Sequence, residues 1–115
     1  MMDDIRKDEI KCSMIVVIVN KGFSEEVMDV ARANGAAGGT ILTGRGTGGE
    51  KAKKFFSISL QEEKEVVLIL VKEELRTEIM RVISREVGLD SPGRGIVFSL
   101  PVEETLGLTF VPFEE

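Results

Sequence analysis

The sequence predicts an α/β protein of the α+β sandwich kind, with one antiparallel sheet and two helices on one of its faces. Three observations carry that prediction. Short runs rich in Val, Ile and Leu at Ser13–Asn20, Glu65–Val71 and Ile96–Leu100 have the length and β-branching of strands. Two segments between them place apolar residues at helical spacing. The chain has 115 residues, 43% hydrophobic and 30% charged, which suits one folded domain with one core.

Residues 1–12 are charged and aperiodic and read as a flexible arm, leaving a single domain over 13–113. Ser13–Asn20 is a continuous β-branched run, as expected of a strand covered on both faces. Ser24 is a suitable N-cap, and Glu25 and Glu26 complement the dipole of the helix that follows. Phe23 is placed to staple onto Val27. Val27, Val30, Ala31 and Asn34 keep helical spacing, and Gly35 stops the helix. Gly39–Thr43 reads as a second strand entering a glycine-rich loop. Phe55–Leu60 alternates like a strand, and Gln61–Lys64 separates or bends it from the stronger Glu65–Val71. Glu73–Val87 is a helix burying Leu75, Ile79, Val82, Ile83 and Val87, with Gly88 as its stop. Ile96–Leu100 is the last core strand, followed by a short apolar tail strand at Leu106–Phe113. The order β-α-β-β-α-β is that of the split βαβ, ferredoxin-like sandwich. Two helices on one face leave the other sheet face bare, to be buried by other subunits.

Composition narrows the chemistry. There is no histidine and one cysteine, so the commonest general base and metal ligand are missing and a zinc site is disfavoured. A net charge of −5 argues against a nucleic-acid partner. The longest apolar run, Met14–Val19, is too short to span a bilayer, and the acidic residues before it do not suit a signal peptide. The lone Cys12 fits a reducing cytoplasm and, without a histidine, is not a nucleophile. Glu103 and Glu104, being adjacent strand residues, point to opposite faces and do not form an acid/base pair. Met14, Met28 and Met80 read as core or interface filling.

Glycine is the informative residue. Seven of the twelve glycines fall between Gly35 and Gly49, and a second cluster, Gly93-Arg94-Gly95, precedes the last strand. Glycine lets backbone N–H groups converge on an anion, and each cluster carries an arginine. Between Thr43 and Lys54, four cations (Arg45, Lys51, Lys53, Lys54) face one acid, Glu50. Together these point to a phosphate-bearing ligand. The bland alternative is a solvated, flexible connection. The glycine stretch leaves a strand and opens no helix, so neither a P-loop nor a dinucleotide fingerprint is present.

At this point the sequence resembles the PII signal-transduction family, in particular its small, divergent PII-like members. The resemblance rests on the element order, on Gly35-x-x-Gly38-Gly39-Thr40, on Gly44-Arg-Gly-Thr-Gly48, and on Gly93-Arg94-Gly95-Ile-Val-Phe98 followed by Pro101-Val-Glu-Glu104. It implies a ferredoxin-like homotrimer with nucleotide sites in the clefts between subunits, a T-loop near 43–57 and a B-loop near 88–95. It implies ATP or ADP as ligand, with AMP or another adenine nucleotide as an alternative. Gly39 and Thr40 would lie near the adenine, and Gly46, Thr47, Gly48 and Gly49 near the phosphates from the same subunit. Gly93, Arg94 and Gly95 would supply the B-loop contacts.

The chain departs from the family pattern at three places. The B-loop lysine falls on Ile96, its acidic residue falls on Arg94, and the two C-terminal arginines fall on Gly107 and Thr109. Phosphate grip therefore passes to Arg45, Arg94, Lys21 and backbone N–H groups. The chain has no tyrosine, which excludes the uridylylation used in nitrogen regulation. The implied role is a cytoplasmic nucleotide sensor, not an enzyme, whose loop controls a target protein such as a membrane transporter. It implies no nucleic acid and no direct membrane insertion. The alternative is a trimeric ferredoxin-like module for another small ligand, CutA-like or ACT-like.

Overall fold

Four strands and two helices follow one another as β1 (Cys12–Asn20), α1 (Ser24–Ala33), β2 (Thr40–Gly46), β3 (Glu62–Lys72), α2 (Glu73–Val87) and β4 (Ile96–Pro101). The structure is a computed structural model that describes residues 11–47 and 62–107. The sheet order is β2-β3-β1-β4 and all three pairings are antiparallel. Each helix thus connects two parallel strands that have a third strand between them, which is the expected split βαβ topology. The expected strand at Phe55–Leu60 lies outside the described residues.

Alternation sorts the side chains. Ile15, Val17 and Val19 of β1 and Val67, Ile69 and Val71 of β3 point to the helical layer, where they are fully buried or nearly so. They meet Val27, Met28 and Ala31 of α1 and Ile79, Ile83 and Val87 of α2 in one core cluster. Met14, Val16 and Ile18 point the other way, across from Leu70, Leu68 and Val66 on one side and Leu100, Phe98 and Ile96 on the other. No described element covers that second face, and Ile96, Phe98 and Leu100 are exposed on it. The β-branched run of β1 predicts cover on both faces, but among the described residues only the helical side is covered by other elements.

Several boundaries differ from the sequence reading. β2 continues through Gly44, Arg45 and Gly46, which pair with Lys64, Glu63 and Glu62. The charged Glu62–Lys64 stretch is therefore strand, because ladder bonds from β2 and β1 outweigh its weak β-propensity. Cys12 is buried at the start of β1 and not on the arm. Leu106 and Gly107 form a bend, with Gly107 at φ +80°, so the tail does not begin as a strand. Residues 108–113 of that expected strand lie outside the described residues.

The two helix ends are made differently. At Gly35, φ +111° and the bond from Ala36 N–H to Ala31 O close α1 as predicted. Gly88 instead is extended, at φ −77°, and bridges to Gly95. There glycine is needed for space: a Cβ on Gly88 would stand within 2.1 Å of Ser84 O, and one on Gly95 within 2.4 Å of Val87 O. Gly95→Ala is therefore expected to destabilise the protein by about 1–3 kcal/mol, lowering the melting temperature by roughly 4 °C per kcal/mol. Gly44→Ala, whose Cβ meets nothing within 4 Å, should stay within about 0.5 kcal/mol of the parent. Thermal denaturation without ligand, followed by circular dichroism, checks both.

Candidate functional site

The sequence-predicted residues collect at two opposite ends of the sheet. At one end β1 and β2 finish while β3 and β4 begin. Gly44 pairs with Lys64, Lys64 pairs with Asn20, and Asn20 N–H donates to Gly93 O at 2.9 Å. The register thus places the Gly44–Gly46 segment and the Gly93–Gly95 turn at the same end, three strand spacings or about 14 Å apart. Side chains tie this end together. Lys64 Nζ donates to Asn20 Oδ1 at 2.7 Å, and Asn20 Nδ2 donates to Pro92 O at 3.0 Å. Lys64 also pairs with Glu62 at 3.2 Å. Asn20 therefore links the base of the β2–β3 connection to the turn before β4.

On the helical side of the same end, Lys21, Arg45, Glu63 and Glu65 line a cleft of about 390 Å3 together with Thr43 and Gly44. Sequence reasoning places Glu65 only at the start of a strand, and its carboxylate does more. It accepts from the backbone N–H groups of Gly22 and Ser24, each at 3.1 Å. Ser24 is the N-cap that the sequence predicts. Instead Phe23 O accepts the first helical bond, from Val27 N–H at 3.1 Å, and no side chain of the cap residue itself bonds the helix. A carboxylate from the neighbouring strand takes that role. Hydrogen bonds from Ser24, side chain and backbone, with that from Gly22, hold the Glu65 carboxyl below its usual range, aided by the charge of Lys21. The bond and ion pair with Glu63, at 2.9 Å, raise the Lys21 ammonium above its usual range.

The turn before β4 shows why glycine flanks an arginine. Gly93 and Gly95 are buried, and a Cβ on Gly93 would come within 2.6 Å of Val87 and 3.3 Å of Phe23. Arg94 between them is exposed and left-handed, at φ 49°. Of the described residues it is the one non-glycine with positive φ, a conformation that persists only where its surroundings over-determine it. Ile96, where the family resemblance implies a lysine, points onto the bare sheet face.

The other end of β2 is different in kind. Gly38, Gly39 and Thr40 border a cavity of about 460 Å3 shared with Met14, Leu68 and Leu70, on the bare sheet side. Gly39 has a packing reason as well, since a Cβ there would meet Leu68 O and Met28 Sδ at 2.9 Å. From Thr40 to Gly46 is six strand residues, about 20 Å. Within one chain the apolar cavity and the cationic end are thus not brought together. Thr47 is the last described residue before the connection, and Gly48 and Gly49 lie outside the described residues. Asn20, Glu63, Lys64 and Glu65 are not singled out by sequence reasoning; the one available signal is their polarity at the edge of an apolar run.

The comparisons agree with this architecture. The sequence profile of the family described as nitrogen regulatory protein P-II matches residues 12–109. The chain belongs to the P-II family of signal transducers, regulators rather than enzymes. Among solved structures, B. subtilis GlnK in complex with ATP is similar, with a TM-score of 0.68 at 18% identity over 85% of this chain and 89% of that one. A PII-like signalling protein from Thermus thermophilus has a TM-score of 0.62 at 17% identity, over 81% of this chain and 87% of that one. No curated protein sequence matches significantly. Among the described residues no helix is long and apolar enough to cross a membrane.

The Glu65 cap is open to a pH test. Because its folded pKa is lowered, its stabilisation is complete above the unfolded carboxylate value of about 4.3 and is lost as pH falls through the lower folded value. Glu65→Ala should destabilise by about 1 kcal/mol at neutral pH. The gap from the parent in urea denaturation should close in acid.

Proposed function

We propose that the protein is a homotrimeric sensor of adenine nucleotide, with three sites formed between subunits, whose 47–61 connection reports the bound state to a target protein. The single observation that carries this reading is the separation of the two half-sites within one chain. An apolar cavity at Gly38–Thr40 suits a flat base. The opposite end, where Lys21, Arg45 and Lys64 line a cleft with Glu63 and Glu65 and Arg94 is exposed on the turn before β4, suits phosphates. About 20 Å of β2 separates them, too far for one nucleotide to span on a single chain. The bare apolar face next to the Gly38–Thr40 cavity is where a second copy would pack. Such packing brings the base-binding end of one chain towards the cationic end of another.

Family membership and the ATP-bound structural neighbour support the nucleotide. The placement of Arg94 and Arg45 supports the phosphates as the part most strongly gripped. ATP, ADP and AMP are then distinguished by how many charges reach these two arginines. A transporter is the target class that the family resemblance suggests, and cytoplasmic exposure of the connection follows from that role. A CutA-like or ACT-like module would take another ligand at the same clefts.

Light scattering should give a trimer, and Phe98→Glu on the bare face should give smaller species. ATP at a hundred times its Kd should stabilise the protein by about 2.7 kcal/mol. Arg94→Ala and Arg45→Ala should each weaken binding at least about tenfold, 1.4 kcal/mol. Calorimetry without heat for any adenine nucleotide at millimolar concentration would refute the nucleotide assignment.

A further inference from the structure

The end of the sheet where β1 begins carries a cavity that neither half-site uses. It lies against the first turn of α2 and encloses about 680 Å3, within the roughly 300–1,000 Å3 usual for small-molecule sites. Its floor is the helical face of the sheet. Ser13 stands two residues before Ile15, and Ser99 pairs opposite Ile15, so alternation turns both side chains towards α2. Ser13 occupies a position on that face where β1 elsewhere carries Ile15, Val17 and Val19. It is 2% exposed, and its hydroxyl has no hydrogen-bond partner among the described residues. Every described side-chain polar atom that is wholly cut off from solvent is partnered, so the Ser13 hydroxyl is reached through the cavity that it lines. The half-buried Ser99 and Thr105 line the same cavity, and their hydroxyls also lack a partner among the described residues. Buried polar groups ordinarily find partners, and an unpaired one calls for an explanation. Hydroxyls from three places in the chain, converging on one space, form a surface suited to a polar guest.

Charge of both signs surrounds these hydroxyls. Arg76 stands on the α2 side, held only by Glu73 at 3.8 Å, which leaves most of its N–H donors uncommitted. Lys11, Glu103 and Glu104 also line the cavity and make no ion pair among the described residues. A simple anion would meet Glu103 and Glu104, and a simple cation would meet Arg76 and Lys11. A molecule carrying both signs avoids either repulsion. We propose that this cavity binds a free α-amino acid, its carboxylate on Arg76 and the Ser13 and Ser99 hydroxyls, its ammonium on Glu103 or Glu104. The planar guanidinium fork matches a carboxylate, and the bonds it makes are charge-assisted. With Glu73 included, the lining holds three acids against two cations. A basic side chain therefore completes the neutralisation, and an acidic one adds repulsion. The cavity lies at the end of the sheet opposite Arg45 and Arg94, and on the opposite face from the Gly38–Thr40 cavity. The amino-acid site is thus independent of the nucleotide assignment and gives the chain a second small-molecule input.

Calorimetry and thermal shift on the full-length protein without nucleotide test this, with L-lysine, glycine and L-glutamate as probes and acetate and ethylamine as single-charge controls. L-Lysine should bind most tightly, glycine less so and L-glutamate least of the three, with both controls at least about tenfold weaker than L-lysine. Ser13→Ala should weaken L-lysine about tenfold, as expected of a lost hydrogen bond to a charged group. The same variant should keep its ligand-free melting temperature within about 2 °C of the parent, because the hydroxyl it removes has no partner there. Arg76→Gln should weaken all three amino acids, and Glu103→Gln with Glu104→Gln should weaken L-lysine without weakening acetate. Circular dichroism confirms that each variant is folded. No response to any of the amino acids at tens of millimolar overturns the proposal. Acetate binding as tightly as glycine overturns it in favour of a plain anion site, and L-lysine binding that survives Ser13→Ala and Arg76→Gln together overturns its location.

Discussion

The constraint on which the rest of the structure depends is that two helices can cover only one face of this sheet. β1 and β3 are apolar on both faces, and alternation sends half of those side chains into the helical core and half onto an open surface. An exposed apolar patch of that extent is not a resting state for an isolated chain. Packing of a second copy, as proposed, would cover that patch before any ligand is considered. The element order also dictates that the ends of β2, which lie on one edge of the sheet, belong to different neighbourhoods. The proposed split site between copies would draw on both consequences of a one-sided sandwich.

The charged end of the sheet answers a second demand, which is to hold two loops in register without covering them. Glu65 closes the start of α1 from the neighbouring strand, and Asn20 bridges Lys64 to Pro92. These polar groups are only partly buried, and hydrogen bonds between them fix geometry while adding little stability. All the described buried side-chain polar atoms find a partner. The base of the β2–β3 connection and the turn before β4 are thus parts of one polar frame, with β1 between them.

Element order, both helices and the open face were legible in the sequence because they follow from periodicity, which is local. The glycine clusters were legible as unusual, but their reasons were not. Gly39, Gly93 and Gly95 are short of space against Leu68, Phe23 and Val19 far along the chain, and against Met28 and Val87 through the way the helix ends fold back, neither of which periodicity shows. The extension of β2 through Gly46 was missed because glycine and arginine are poor strand formers and only the ladder to Glu62–Lys64 makes them strand. Ser24 looked like a cap for the right chemical reason, yet the acceptor came from a residue far along the chain. The separation of Thr40 from Gly46 needed only the rise per strand residue, once it was known that one strand holds both.

Arg94 is where packing and function meet. A left-handed non-glycine residue costs about 1–2 kcal/mol, and a glycine at the same place would avoid that. The flanking glycines are fixed by packing, Gly93 against Val87 and Phe23, Gly95 against the Val87 carbonyl. The bond from Arg94 N–H to Ser91 O at 3.0 Å completes the turn. With both neighbours buried, the residue between them projects outward at the end of the sheet where Arg45 and Lys21 also lie. Ile96, two residues on, points onto the apolar face of the sheet. Arg94, held in a strained turn at the same end of the sheet as the glycine-rich end of β2, puts positive charge there while Ile96 adds to the apolar face.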